Sequence, residues 1–303
     1  KGTFGKALAA IFAILIVLAL GFTGNMVQSN SIGAAFSEVF SARNIEIPSI
    51  VFGLILAAVI GFIFLGGVNR LASVVEKIVP IMAGIYIVGS LVLILMNITA
   101  LPGAIKMIFV GAFNPEAVVG AGAGIAVREA IRFGVARGLF SNEAGMGSTP
   151  HAHARAKVEN PHKQGLAAMI SVFIDTFIIL NLTVFSILTT GVLDSGKEGT
   201  ALTQAAFTKG FGNFGDIFVA VCLLFFAFST ILGWHFFGEV NVKYLFGEKA
   251  AKFYSILVIG FVIVGSTLKV QLVWSLSDFF NGLMVIPNAI ALWALSGVVV
   301  KIC

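Results

Sequence analysis

Charge is what this chain has least of. Only 11% of its 303 residues are Asp, Glu, Lys or Arg, against 58% hydrophobic, and the mean hydropathy is +1.03. A water-soluble surface cannot be assembled from that inventory, so the composition is that of an integral membrane protein. Cysteine is nearly absent as well. Cys222 lies in an apolar run and Cys303 is the last residue, which argues against a disulfide framework and leaves no cysteine with catalytic neighbours. With only four histidines and no cysteine close to them, the pair His151 and His153 reads as part of a solvated loop rather than a metal site. No Pro/Ser-rich linker, charge run or short-period repeat divides the chain, so a single transmembrane domain over 1–303 is expected. GAGAG at Gly120–Gly124 follows no strand and lacks a P-loop lysine, which removes a nucleotide site. No Ser/His/Asp set in a credible context points to an enzyme.

What the chain has in abundance is apolar blocks long enough to cross about 30 Å of hydrocarbon, which takes about 20 helical residues. They run through Ala7–Gly33, Ile47–Val68, Ile78–Ala100, Gln164–Leu193, Ile217–Gly238, Phe253–Leu268 and Phe279–Val300. Because they are continuous rather than alternating in polarity, the expected fold class is all-α, a polytopic helix bundle and not a transmembrane barrel. A chain that opens on lysine and enters an apolar run within ten residues, with no cleavage site, reads as the interior of a longer protein. Thr99–Gly120 is expected to be an outer loop with a short interfacial helix, and Thr200–Phe211 a short amphipathic helix.

Basic residues give an orientation. With Lys1 and Lys6 cytoplasmic, each block crossing once and one further crossing at Gly120–Leu139, the inner loops collect Arg155, Lys157, Lys163, Lys243, Lys249 and Lys252 among others. The outer loops then hold only Arg43, Lys106, Lys197, Lys209 and Lys269. The net charge of +5 is spread over these short loops, so anionic lipid accounts for it. The bilayer is the expected partner; nothing suggests nucleic acid or an obligatory protein partner.

The added crossing, GAGAGIAVREAIRFGVARGL, is unlike the rest, because Arg128, Glu129, Arg132 and Arg137 share it with several glycines. Facing lipid, each central charge costs about 2.5–3.5 kcal/mol, so the segment must be shielded or open onto water. Glu129 and Arg132 are spaced i,i+3 and can pair. A partly solvated linker helix is one reading. The other is a discontinuous helix, unwound at its glycines so that backbone groups face a substrate and its coupling ion.

GNMVQSNSI at Gly24–Ile32, GVARGLFSNEAGMGSTPHAHA at Gly134–Ala154, PHKQG at Pro161–Gly165 and FAFSTILGWHFFGE at Phe226–Glu239 closely resemble the alanine or glycine:cation symporters, essentially from end to end. The resemblance implies a leucine-transporter-like fold of two inverted five-helix repeats, with amino acid and sodium bound near the membrane midplane. On that plan the chain supplies the third to tenth core helices. Ala7–Gly33 would be the third, Gly120–Leu139 the broken sixth and Ile217–Gly238 the eighth, while the first core helices are not in this sequence. The implied activity is symport of a small neutral amino acid, alanine or glycine, with sodium as the co-transported ion, by alternating access across the plasma membrane. No other metal is expected. An amino-acid-binding sensor or a cation channel of related architecture is the alternative.

The same resemblance suggests site residues. Asn25 and Gln28, spaced i,i+3, can turn both amides to one cavity and offer donor and acceptor to a zwitterion, or can make an interhelical bond. Ser229 and Thr230 match the hydroxyl pair that coordinates sodium in this fold, although such hydroxyls commonly bond the preceding turn instead. Trp234, one turn from Thr230, would close over a small side chain, or would serve as an interfacial anchor. Phe133 and Gly134, at the break of the sixth helix, would supply an opposite wall; simple packing is the alternative for Phe133. Arg137, Glu143 and Asp175 are expected in structural or gating roles. Glu143 is expected to pair with a nearby arginine, and Asp175, deep in an apolar run, to gate or to hold a cation.

Overall fold

The computed structural model describes residues 2–64, 66–113 and 123–302. The residues 114–122, with the first three of GAGAG and the end of the Thr99–Gly120 loop, lie outside the described residues, as does Cys303. Among the described residues there is helix and no strand. A backbone in hydrocarbon has no water to bond and must satisfy its N–H and C=O groups within each segment. Among the described residues, five helices are long and apolar enough to cross a membrane: Thr3–Ser41, Leu71–Met96, Pro161–Thr190, Gly199–Phe246 and Val270–Val298. Ser49–Phe64 and Ile98–Phe113 are apolar but shorter. The chain is an all-helical integral membrane protein.

The residues form two compact units. The first comprises Lys1–Met82, Glu143–Met169 and Ala220–Cys303; the second Ala83–Asn142 and Ile170–Val219. The first unit opens with α1 (Thr3–Ile16), which widens into a π-helical turn at Val17–Gly24 and continues without interruption as α2 (Asn25–Ser41). A hairpin-like return leads to α3 (Ser49–Phe64) and then α4 (Gly67–Met96), which carries Pro80 in its interior and runs on into the second unit. The second unit then contains α5 (Leu101–Phe113) and α6 (Ala123–Asn142). α7 (Pro161–Phe173) leads into a second π-helical turn, Ile174–Leu180, and α8 (Asn181–Thr190), followed by α9 (Gly199–Phe211). Three long helices close the chain: α10 (Gly215–Phe246), α11 (Glu248–Gly265) and α12 (Val270–Ile302).

Within the first unit α11 packs on α2 and α3, and α12 packs along α1 and the wide turn that follows it. Ile16, Leu20, Ile60, Val258, Val262 and Met284 are fully buried at these contacts. The end of α11 is tied to α2: the buried Asn30 amide donates at 2.9 Å to the Gly265 carbonyl, one of those that a helix terminus leaves without intrahelical partners, and at 2.7 Å to the Leu268 carbonyl in the turn beyond. In the second unit α8 packs against α9 and α5. Its core is aromatic, with the buried Phe207 ring beside Tyr86, Phe211 and Phe218, and Tyr86 hydroxyl 2.6 Å from that of Thr183. Thr200–Phe211 is helical as anticipated, with Gln204, Ala206 and Phe207 on its buried side.

One expectation is corrected here. Phe133 and Gly134 do not mark a break, because α6 is one continuous helix from Ala123 to Asn142. Each glycine costs a helix only about 1 kcal/mol relative to alanine, which the helix-forming residues around it absorb. The anticipated Glu129–Arg132 pair forms at 3.3 Å, on an exposed face. The backbone departs from the helix only after Asn142, at Glu143.

Candidate functional site

The wide turn at Val17–Gly24 is the starting point of the candidate site, since single-turn π insertions in α-helices recur at functional positions. Widening the turn displaces backbone carbonyls from their usual partners, and local side chains take them up. The Thr23 hydroxyl donates to the Leu18 and Ala19 carbonyls at 3.1 and 2.8 Å, and the Asn25 amide donates to Gly21 O at 2.9 Å. The Asn25 side chain is fully buried and its Oδ1 has no hydrogen-bond partner among the described residues. An orphaned buried acceptor costs about 1–3 kcal/mol. Gln28 follows one turn later, half-buried.

Beside this turn lies the indole of Trp234, only 3% exposed. A Cβ on Gly24 would come within 2.7 Å of the Trp234 Cε3 and Cζ3 atoms, so the ring rests directly on backbone that only glycine leaves open. Trp234 is therefore an interior group rather than an interfacial anchor. Its Nε1–H donates to Glu143 Oε1, and Glu143 Oε2 accepts from the Ser148 hydroxyl. The anticipated arginine partner of Glu143 is replaced by these two neutral donors: the backbone turns at Glu143, and the carboxylate is carried toward α10 instead of along α6. Burial pushes the Glu143 carboxyl above the usual carboxylate range, and the bonds from Ser148 and Trp234 draw it partly back.

Glu143 itself has φ 50, a left-handed conformation unusual for a non-glycine residue and costing of order 1–3 kcal/mol. The loop that begins there is held at several points. Asn288 of α12 donates to Gly145 O at 2.7 Å, and the backbone at Gly147, φ 86, passes so close to that amide that a Cβ would meet Asn288 Oδ1 at 2.6 Å. His151 lies 2.9 Å from Ser148 O through Nδ1 and 3.0 Å from the Asn241 amide through Nε2, and it stacks on Phe12. His151 is thus docked on α10 and α1, contrary to the solvated loop expected from sequence, because the turn at Glu143 folds the segment back onto the helices. His153 binds Gln164 at 2.7 Å.

Ser229 and Thr230 lie one turn before Trp234 on α10. Both hydroxyls are 2.9 Å from the same carbonyl, Phe226 O, and Ser229 Oγ is also 3.8 Å from Met82 Sδ. In this conformation the pair makes back-bonds to the preceding turn, leaving its oxygen lone pairs as the groups able to meet a cation.

The remaining sequence-derived candidates belong to the second unit. Phe133 is 48% exposed, with Arg132 and Arg137 guanidinium groups 5.5 and 6.0 Å from its ring centre. A Cβ at Gly134 would meet open space. Asp175 lies in the second wide turn and accepts from Ser141 at 2.6 Å, while Thr176 donates to Asn142 at 3.0 Å; the two bonds tie the end of α6 to that turn. The structure therefore brings Asn25, Thr230, Trp234 and Glu143 into one compact unit. It adds Gly24, Ser148, Asn241 and Asn288, which the sequence reading did not single out, and His151, which that reading left in a solvated loop. Gly24 and Ser148 had a local signal, standing in the same motifs as Asn25 and Glu143; the partners on α10 and α12 had none.

The model of the sodium:alanine symporter family matches residues 1–303. Among curated proteins, the chain is similar to the amino-acid carrier protein AlsT of Bacillus subtilis, 41% identical over 303 residues, covering 100% of this chain and 63% of that protein. The probable sodium/glutamine symporter GlnT of the same organism is 41% identical over 301 residues, 99% of this chain and 61% of the relative. The sodium/alanine symporter AgcS of Methanococcus maripaludis is 38% identical over 301 residues, covering 98% and 64%. The chain thus spans somewhat less than two thirds of the length of these relatives. The family is one of transporters and not of enzymes, and the match extends over every element described above, from the first wide turn to the Trp234 helix. The chain belongs to the sodium:alanine symporter family.

Proposed function

We propose that the protein carries out sodium-coupled symport of a small neutral amino acid, alanine or glycine, as a multi-pass protein of the plasma membrane. It does so by alternating access in a leucine-transporter-like fold, with the basic loops inside and the two units acting as one transport domain. The observation that carries the reading is the unsatisfied Asn25 Oδ1, buried beside a widened helical turn and a glycine-seated indole. An amino-acid ammonium group supplies the donor that this oxygen lacks, and Gln28 adds a second amide one turn along. Thr230 and Trp234 face the substrate side chain, and the Ser229 and Thr230 hydroxyls, rotated from Phe226 O, offer oxygen to sodium. Sodium is thus cargo, held beside the substrate; since the two bind together, each raises the other's affinity by the same factor. Phe133 and Gly134 as a substrate wall, and Arg137, Glu143 and Asp175 as structural or gating groups, are proposed on the family resemblance.

The test is uptake of labelled alanine and glycine by the full-length protein in liposomes, under an inward sodium gradient, a matched choline gradient and a proton gradient. Saturable accumulation with sodium alone supports the symport reading. Binding without accumulation under any gradient would replace it with a sensor, and unsaturable, unstoichiometric flux with a channel. Thr230→Ala and Trp234→Ala should each weaken sodium-dependent uptake while leaving membrane insertion intact; unchanged uptake in both removes them from the site.

A further inference from the structure

We infer that Glu143 is a positioning residue that fixes the Trp234 indole over Gly24 and so sets how large a substrate side chain the site admits; the inference rests on the proposed amino-acid site. The indole is held from two directions. Its six-membered ring lies against the Gly24 backbone, at a distance that leaves no room for a methyl group, and its N–H is bonded to Glu143 Oε1. Rotating the ring away would break a buried hydrogen bond to a carboxylate, among the stronger bonds available to an indole.

The carboxylate is in turn immobilised. Its other oxygen accepts from the buried Ser148 hydroxyl, its backbone is fixed in the left-handed region at φ 50, and the following loop is pinned by Asn288 to Gly145 O and by His151 to Ser148 O and Asn241. A non-glycine residue stays in such a conformation only where its surroundings over-determine it. The consequence reaches Thr230 and Asn25, the neighbours of the indole in helix α10 and at the wide turn. In the proposed site these two residues bound the substrate side chain from the other side, so the position of the ring sets the space left for it. With the ring held at both ends, that space is constant; with the acceptor removed, the ring is free to tilt and admit bulkier groups.

The experiment measures sodium-dependent uptake of alanine and of glutamine by the full-length protein in liposomes, and the ratio of their apparent KM values. It compares wild type with Glu143→Ala, Glu143→Asp and Glu143→Gln. The ratio of glutamine to alanine KM should fall about tenfold in Glu143→Ala, in the range that pocket size controls, and by less in Glu143→Asp, which shortens the reach by one methylene. It should stay within about twofold in Glu143→Gln, which keeps an acceptor of the same length. A merely structural role would lower uptake of both substrates and leave the ratio unchanged, and that result overturns the inference. The second readout is Trp234 emission in a background where every other tryptophan of the full-length protein, Trp274 and Trp293 among them, is replaced by Phe; there, losing the carboxylate acceptor should shift and broaden the band. If Glu143→Ala fails to insert, Glu143→Asp carries both readouts. Absence of uptake in wild type would sink the transport reading instead, and the emission shift then decides alone whether Glu143 holds the ring; no shift overturns it.

Discussion

The two π-helical turns, Val17–Gly24 and Ile174–Leu180, are built alike and used differently. Each is followed at once by an asparagine whose amide returns to carbonyls inside the turn: Asn25 to Gly21 O at 2.9 Å, Asn181 to Thr176 O and Phe177 O at 3.0 and 3.3 Å. The first also has a threonine bonding a carbonyl four residues back, Thr23 to Ala19 O, whereas at the second the corresponding bond, Thr183 to Ile179 O, comes from the helix that follows. In the first turn Ala19, Leu20, Gly21, Thr23 and Gly24 are buried; in the second no residue is. The first contains two glycines that admit other residues to its backbone, while the second contains none and offers instead the carboxylate of Asp175, bonded to Ser141. A widened turn by itself therefore does not make a site. It becomes one where it is buried, where glycine opens its backbone and where a capping side chain is left with an unused acceptor.

The sharpest way to break the comparison is at Gly24. Gly24→Ala should reduce sodium-dependent uptake at least about tenfold and destabilise by about 1–3 kcal/mol, because the methyl group and the Trp234 ring claim one volume. Ile178→Ala, in the second turn, should leave the apparent KM for alanine within about twofold, since the side chain there is exposed. Normal transport by Gly24→Ala would show that the indole is not seated as described.

The two asparagines give the next contrast. Asn25→Ala removes both the cap and the proposed ammonium acceptor, and apparent alanine affinity should fall about tenfold, about 1.4 kcal/mol. Asn181→Ala removes only a cap, costing about 0.5–1.5 kcal/mol in thermal denaturation while affinity holds. Equal loss of affinity in both variants would deny the first turn its special role.

A smaller effect should follow pH. The folded Glu143 carboxyl has a raised pKa, so the native state holds its proton more tightly than the unfolded chain, and stability from this group increases as pH falls toward the unfolded value. Glu143→Gln abolishes that dependence. The Tm of the variant minus that of wild type should therefore be more positive at alkaline than at acidic pH and shrink as the pH falls toward the ordinary carboxylate range. A difference constant across that window would mean that burial does not govern the group. Smallest of all, Ser141→Ala should lower stability by about 0.5–1.5 kcal/mol without altering the alanine KM, since it removes one of the two bonds between α6 and the second turn.

Much was legible without the structure. The apolar blocks, the helical class, the Glu129–Arg132 pair and the family motifs all follow from residue type and spacing, because hydrophobic burial and i,i+3 neighbours are local in sequence. A hydrophobic pattern reports which segments enter the membrane, but a turn widened by one residue changes neither composition nor mean hydropathy, so both π turns were silent. The supposed break at Phe133 and Gly134 overweighted glycine, whose helix penalty is small, and overlooked the helix-forming run around it. Glu143 is the clearest case. Nearby arginines made an ion pair the natural expectation, yet its partner Trp234 stands 91 residues along the chain, and His151 finds Asn241 90 residues away. By itself the sequence determined that this is a helical membrane protein of the symporter family. Only the tertiary structure decided which buried donor meets which acceptor, because that choice depends on where a left-handed turn at one residue redirects the loop that follows α6.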